Sequence, residues 1–275
     1  MGKWLAAALA VFSAVVAHPA RAEAFPIGDV FRPLTADPLE PRFFLGWLSV
    51  DRSEGDRVSV ATIGGGINFG LVRWREKKAG EGWQLGIFGS IFSQFDLDSA
   101  ADDLINSDYR IGIPLSYRRG DFSTRARIFH QSSHLGDEVI LNGSAPQRID
   151  LSYEAIDLVV ARQIGNWRPY GGGSYKLRSS MADVKKSALQ AGIDYAGVRP
   201  VIAGARVVGG LDMKWHEETD WRTAISAKIG LEFGRQQPER RGVTVLLEAY
   251  DGPAPFGQYF RHNVTYQGVS VQFDF

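Results

Sequence analysis

The segment Arg127–Glu138, RIFHQSSHLGDE, holds two histidines, two serines and two acids within the nine residues from His130 to Glu138. Residues i and i+2 of an extended strand project to one face, so the His130 imidazole is placed to take the proton of the Ser132 hydroxyl. A serine nucleophile of this kind needs a third group to orient its histidine. Asn106 and Asp150 are the candidates from neighbouring strands; Asp137 and Glu138 are the candidates from the following loop. A second chemistry uses His134, Asp137 and Glu138, with His130, as mixed ligands for a divalent cation such as calcium. A third use is structural. Ser132, Ser133 and His134 would hydrogen-bond one another at a strand end, with Gly136-Asp137 starting a turn.

The rest of the chain says what must position this segment. The first residues, MGKWLAAALAVFSAVVAHPARAEA, combine a basic start, a short apolar stretch and the small residues Ala20 and Ala22. They read as a signal peptide over residues 1–22, too short to span a membrane as a helix. No later apolar run reaches the ~18–20 residues of a membrane helix. There is no cysteine, which excludes disulfides and thiolate metal sites. Basic and acidic residues number 31 each, so no bulk electrostatic argument for nucleic acid exists. The 31 glycines and 32 aromatic residues point instead to many strands, tight turns and an interfacial aromatic belt.

The terminal residues 266–275, YQGVSVQFDF, alternate apolar Val269, Val271, Phe273 and Phe275 with small or polar neighbours. Further candidate strands fall near 42–50, 58–74, 83–97, 108–118, 122–134, 148–163, 167–178, 188–195, 201–214, 221–234 and 242–250, with the last over 259–275. The sequence therefore predicts an all-β protein, a transmembrane antiparallel β-barrel of about twelve strands, ten to fourteen being compatible. Only a closed sheet satisfies its backbone groups in lipid. With a periplasmic amino end, 98–107, 135–147, 179–187 and 215–220 become outer connections. Residues 23–41 hold Pro26, Pro33, Pro38 and Pro41 and read as a periplasmic or plug-like strap ahead of the barrel, 42–275.

A tight turn at Arg119-Gly120, pairing Tyr117 with Phe122, sets the register of the central hairpin. Tyr117, Leu115, Ile113 and Ile111 then share a lipid face, while Arg110, Gly112, Ser116, Ser123, Arg125 and Arg127 face the lumen. Phe129 falls on the polar parity. The same register puts His130 beside Tyr109 and Ser132 beside Ser107, both on the lipid-facing parity near the outer end. Polar groups there are costly unless they sit at head-group level or act there.

The segments Asp29–Phe43, DVFRPLTADPLEPRF, and His130–Glu138 resemble an uncharacterised family of bacterial outer-membrane proteins known only as a domain of unknown function. The resemblance implies a barrel and no established activity. His130-Gln131-Ser132 is similar to the His-x-Ser motif of outer-membrane phospholipase A and the lipid A deacylases, which implies a site on a barrel strand at the outer leaflet. The terminal strand ending at Phe275 is similar to the sorting strand read by the barrel-assembly machinery.

Other stretches carry less. Ile63–Gly70 is glycine-rich without the spacing or the helix of a dinucleotide site. Tyr170–Gly173 and Gly209-Gly210 suit strand bending or close packing. Lys214–Trp221 misses the zinc motif by Asp220 and reads as a rim between belt tryptophans. The inward arginines predict a lumen filled by a charged network. The leading expectation is thus an outer-membrane barrel that binds or supports, with an ordered polar rim, in contact with outer-membrane lipid or lipopolysaccharide. An outer-leaflet acyl-ester hydrolase is the alternative and a narrow channel the third reading.

Overall fold

The computed structural model describes residues 22–51, 57–76, 80–141, 149–181, 184–234 and 241–274. Residues 1–21, most of the expected signal peptide, and Phe275 lie outside them. Alternating sequence and tight turns give twelve long strands: β2 (Phe43–Asp51), β3 (Arg57–Arg75), β4 (Gly82–Asp96), β5 (Asp103–Arg119), β6 (Phe122–Leu135), β7 (Ser152–Arg162), β8 (Trp167–Ser179), β9 (Ser187–Ala196), β10 (Arg206–His216), β11 (Thr223–Phe233), β12 (Gly242–Pro253) and β13 (Asn263–Asp274). Each pairs antiparallel with its sequence neighbour, and β13 pairs with β2 from Phe273↔Phe43 to Thr265↔Asp51. The sheet is therefore closed, a twelve-stranded antiparallel barrel of outer-membrane type. A short β1 (Ala22–Ala24) lies beside Val72–Trp74 of β3.

Several boundaries move from the sequence expectation. β5 begins at Asp103 because a bulge between Gln94 and Phe95 lets pairing with β4 continue past it. β10 and β13 start later than expected, at Arg206 and Asn263, and a short helix, Asp137–Leu141, follows β6.

The β5–β6 hairpin turns at Gly120-Asp121, with Arg119 paired to Phe122. Gly120 has φ +57°, the positive value that the first central residue of a type II′ turn requires. The register is therefore slid from the expected one by two residues. His130 lies beside Ile111 and Ser132 beside Tyr109. An even slide preserves the faces. Ile111 is 65% exposed and Ile113 and Ile128 50%, on the outer wall, whereas Arg110, Ser116, Ser123, Arg125 and Arg127 are buried within.

Inside, residues 26–42 run through the lumen. Val30, Phe31, Leu34, Ala36, Asp37 and Glu40 of this strap are all buried. Arg125 donates to both oxygens of Glu40, and Arg127 pairs with Asp157 at 2.7 Å. Arg168 holds Asp194 at 2.5 Å and donates to the carbonyls of Arg32 and Pro33. Lys214 meets Asp37 at 2.5 Å. Phe31 and Leu34 pack against Val159, Ala161 and Tyr170. The inward glycines make room: a Cβ on Gly66 would meet Pro41 Cα and Arg42 N at 3.0 Å, and one on Gly210 would meet Thr35 Cβ at 3.2 Å. Phe129, odd by polarity, faces this network with the Arg110 guanidinium 4.3 Å above its ring.

Candidate functional site

β6 carries the opening segment as a regular strand through Leu135, so its residues alternate between wall faces. Gln131, Ser133 and Leu135 are buried inside; His130 and Ser132 are half-buried and His134 exposed outside. This alternation separates Ser133 from its neighbours. Its hydroxyl donates to Asn106 Oδ1 at 2.9 Å, while the His134 ring lies edge-on to Tyr109 with centroids 5.6 Å apart. The expected network among Ser132, Ser133 and His134 is therefore broken at Ser133, which strand geometry sends to the face opposite the other two.

On the outer face, one rung of the sheet runs Ile67, Gly89, Ile111, His130, Glu154 across β3 to β7. Glu154 Oε1 stands 3.2 Å from His130 Nδ1. A proton on Nδ1 donated to this carboxylate leaves Nε2 bare as an acceptor. Ser132 is two residues further along the same face, next to Tyr109 and Ser152 on its rung. Among the described residues no hydrogen bond closes between the His130 ring and the Ser132 hydroxyl, a contact that often tightens only with substrate bound. The His130 and Glu154 side chains are 41% and 45% exposed, so the pair opens to the surroundings of the wall.

The two expected orienting groups from neighbouring strands lie elsewhere. Asn106 is wholly buried on the lumen face, where its Nδ2 donates to Asp108 at 2.9 Å and its Oδ1 accepts from Ser133. Together these residues clamp a loop: Gly257 N donates to Asp108 Oδ2 at 2.7 Å, and Gln258 donates to the Ser133 carbonyl at 3.2 Å. Asp150 precedes β7 and is exposed, below the reach of the β6–β7 ladder, which ends at Ser132↔Ser152. Glu154 was missed. Its signal was present, since Ile156, Leu158 and Val160 mark the outer parity of β7 and an acid at 154 interrupts that stripe.

The residues considered for metal binding are not gathered. His134 packs on Tyr109, and Asp137 and Glu138 occupy the exposed first turn of the short helix. Among the described residues no three His, Asp or Glu side chains are grouped to hold a metal ion.

Beside His130 the outer wall is hollowed. Ile67, Phe69, Ile87, Ile111, Ile113 and Ile128 line a groove of about 600 Å³, bordered at one end by His130 and Glu154. Its floor is Gly89, where an added Cβ would touch nothing within 4 Å. Polar side chains begin directly past this end: Ser93 and Ser107 share a 2.6 Å hydrogen bond one outward position beyond Tyr109. The site thus straddles the boundary between an apolar band and a polar rim.

In solved structures the barrel is similar to the outer membrane phospholipase (OMPLA) dimer with bound calcium from Salmonella typhi, at TM-score 0.57 and 16% identity over 86% of this chain and 93% of that one. It is likewise similar to outer membrane phospholipase A from Escherichia coli, at TM-score 0.55 and 13% identity over 86% and 91%. At such identities the likeness is one of fold. No functionally curated protein matches the sequence. Residues 9–275 match the family described as protein of unknown function (DUF1207), and the chain belongs to that family.

Proposed function

We propose that this protein is an outer-membrane serine esterase that cleaves acyl esters of outer-leaflet lipids, with Ser132 as nucleophile, His130 as general base and Glu154 as the group orienting the histidine. The observation that carries this reading is the 3.2 Å approach of Glu154 to His130 Nδ1 on the outer wall, one i+2 step from Ser132. A half-exposed His–Glu pair at the end of an apolar groove is costly in the outer wall unless it sits at head-group level or acts there. Two proteins of this fold are named phospholipases, so the architecture accommodates the chemistry.

The steps follow from the three side chains. His130 Nε2 removes the Ser132 proton as Oγ attacks the ester carbonyl. The ester C–O bond breaks, and the leaving alkoxide takes that proton from the imidazolium. Water, deprotonated by the same nitrogen, then attacks the acyl-serine, releases a carboxylic acid and returns the proton to Ser132. Glu154 holds the tautomer and stabilises the transient imidazolium. The ester linkage of a bilayer lipid lies at the polar–apolar boundary, which suits a His–Glu pair standing at the end of an apolar groove.

The test is acyl release from phospholipid and lipopolysaccharide by the refolded barrel in detergent micelles, with and without calcium. The parent should release acyl chains, and Ser132→Ala and His130→Ala should lose release while still folded. A folded parent that releases nothing under any condition leaves a binding or structural barrel as the function. The narrow-channel reading is opposed by the strap, whose buried residues Val30, Phe31, Leu34, Asp37 and Glu40 lie across the lumen.

A further inference from the structure

We infer that the groove floored by Gly89 receives a single acyl chain of a membrane lipid, and that the absence of a side chain at position 89 determines how long a chain it accepts. Calling that chain the scissile one rests on the hydrolase reading above.

The outer wall carries the rung Ile67–Gly89–Ile111–His130–Glu154. Four of these positions project side chains outward, and one does not. Adjacent strands are about 4.8 Å apart, so the hollow at Gly89 starts roughly 10 Å from His130. The next outward rung, Phe69 with Ile87 and Ile113 with Ile128, forms the opposite bank. Phe69, Ile87 and Ile113 are each 45–50% exposed, so the banks are apolar side chains standing clear of the wall. Nothing in the fold requires glycine here. Gly89 carries no positive φ, and a Cβ built on it would meet nothing within 4 Å, so the backbone itself does not demand glycine. Gly112, by contrast, faces inward, where a Cβ would strike the Ile128 carbonyl at 2.4 Å. The only thing a side chain at 89 would exclude is an occupant of the groove.

That occupant is an alkyl chain. The groove has an apolar lining, lies on the lipid-facing wall and ends at the imidazole and carboxylate. Among its lining side chains, the only polar groups are at that end. A chain lying along it would place its carbonyl end at His130 and Ser132 and its methyl end beyond Gly89, over Ile67.

The test has two arms. A phosphatidylcholine carrying a diazirine near the end of one acyl chain is mixed into micelles with the refolded barrel, irradiated, and the attachment sites are mapped by mass spectrometry. Labelling should concentrate on residues 67–69, 87–91 and 111–113, and Gly89→Leu should lower it there about five-fold while labelling elsewhere stays the same. Leu247→Phe, on the far outer wall of β12, is the control and should change neither. Even labelling around the barrel, or labelling that Gly89→Leu leaves unchanged, overturns the inference. The second arm compares kcat/KM for esters of butanoic and hexadecanoic acid, and the long-to-short ratio should fall about ten-fold in Gly89→Leu. Concentrated labelling without hydrolysis of either ester leaves the groove standing and removes the hydrolase reading. Hydrolysis with an unchanged ratio removes the chain-length role of Gly89.

Discussion

Glu40 of the strap and Arg125 of β6 meet in the middle of the lumen, 85 residues apart in sequence, with side chains 2% and 1% exposed. The guanidinium donates to both carboxylate oxygens and lies 4.7 Å above the Phe31 ring. Arg127 stands 3.8 Å from the same carboxylate. One fully enclosed acid thus ties the strap to two neighbouring inward positions of a single strand.

Removing one partner strands a charge away from water. Glu40→Ala should destabilise the barrel by about 3–5 kcal/mol, whereas Glu40→Met with Arg125→Met should recover most of that loss. Unfolding in urea, followed by the heat-dependent gel mobility of barrels, measures both. A double variant no better than the single one would assign the cost to lost packing.

Acid should loosen the strap. Burial alone would raise the Glu40 carboxyl, but Arg125 and then Arg127 overcome it and hold the group below its usual 4.5. Asp37 behaves alike: burial raises it, and Lys214 outweighs burial to bring it below 3.8. A carboxylate lowered in the folded state contributes stability that is full above its unfolded value and lost as pH falls through the folded one. Protease sensitivity of residues 26–41 should therefore be flat from pH 7 down to about 5 and rise below about 4. A rise centred near pH 6 would point to a histidine instead.

The clamp on Gly257 should be intolerant of a methyl group. Gly257 has φ +51°, and a Cβ there would lie 2.2 Å from Asn106 Oδ1 and 2.4 Å from Ser133 Oγ. Gly257→Ala should cost on the order of 2 kcal/mol and free the loop 254–262 for proteolysis, with the barrel itself intact. Asn106→Ala should free the same loop without touching acyl release, which separates its role from that of Glu154.

At the outer site, Glu154→Gln keeps the size of the side chain and removes its charge. Acyl release should drop roughly 10²–10⁴-fold with little change in KM. A change in KM alone would place Glu154 in substrate binding.

The barrel itself was legible because strand alternation survives in Ile111, Ile113, Ile128 and their inward arginine neighbours. Both faces of the β5–β6 hairpin follow from that parity, and an error of two residues in register did not disturb it. The partner of His130 was hidden for a different reason. Glu154 follows Ser132 by twenty-two positions, across a connection of unforeseeable length, so its rung depends on where β7 begins. Asp150 shares its parity and lies four residues earlier, and only the start of the ladder at Ser152 distinguishes them. Asn106 misled because its parity is inward, which the short predicted strand, begun at 108, left unassigned.

The strap has a consequence for the order in which the molecule is made. Its residues are translated before every strand of the wall, yet its anchors Arg125, Arg168 and Lys214 belong to β6, β8 and β10. The seam between β2 and β13 joins the two ends of the sheet and waits for the last strand. Once that seam is shut, Phe31 and Leu34 could reach their places against Val159, Ala161 and Tyr170 only through an open end of the tube. The expected order is that the wall curls around the strap while the cylinder is still open, with Arg125, Arg168 and Lys214 each captured as its strand arrives. A peptide of residues 26–42 added to a strapless barrel after closure should accordingly fail to fill it, and the same peptide present during refolding should succeed.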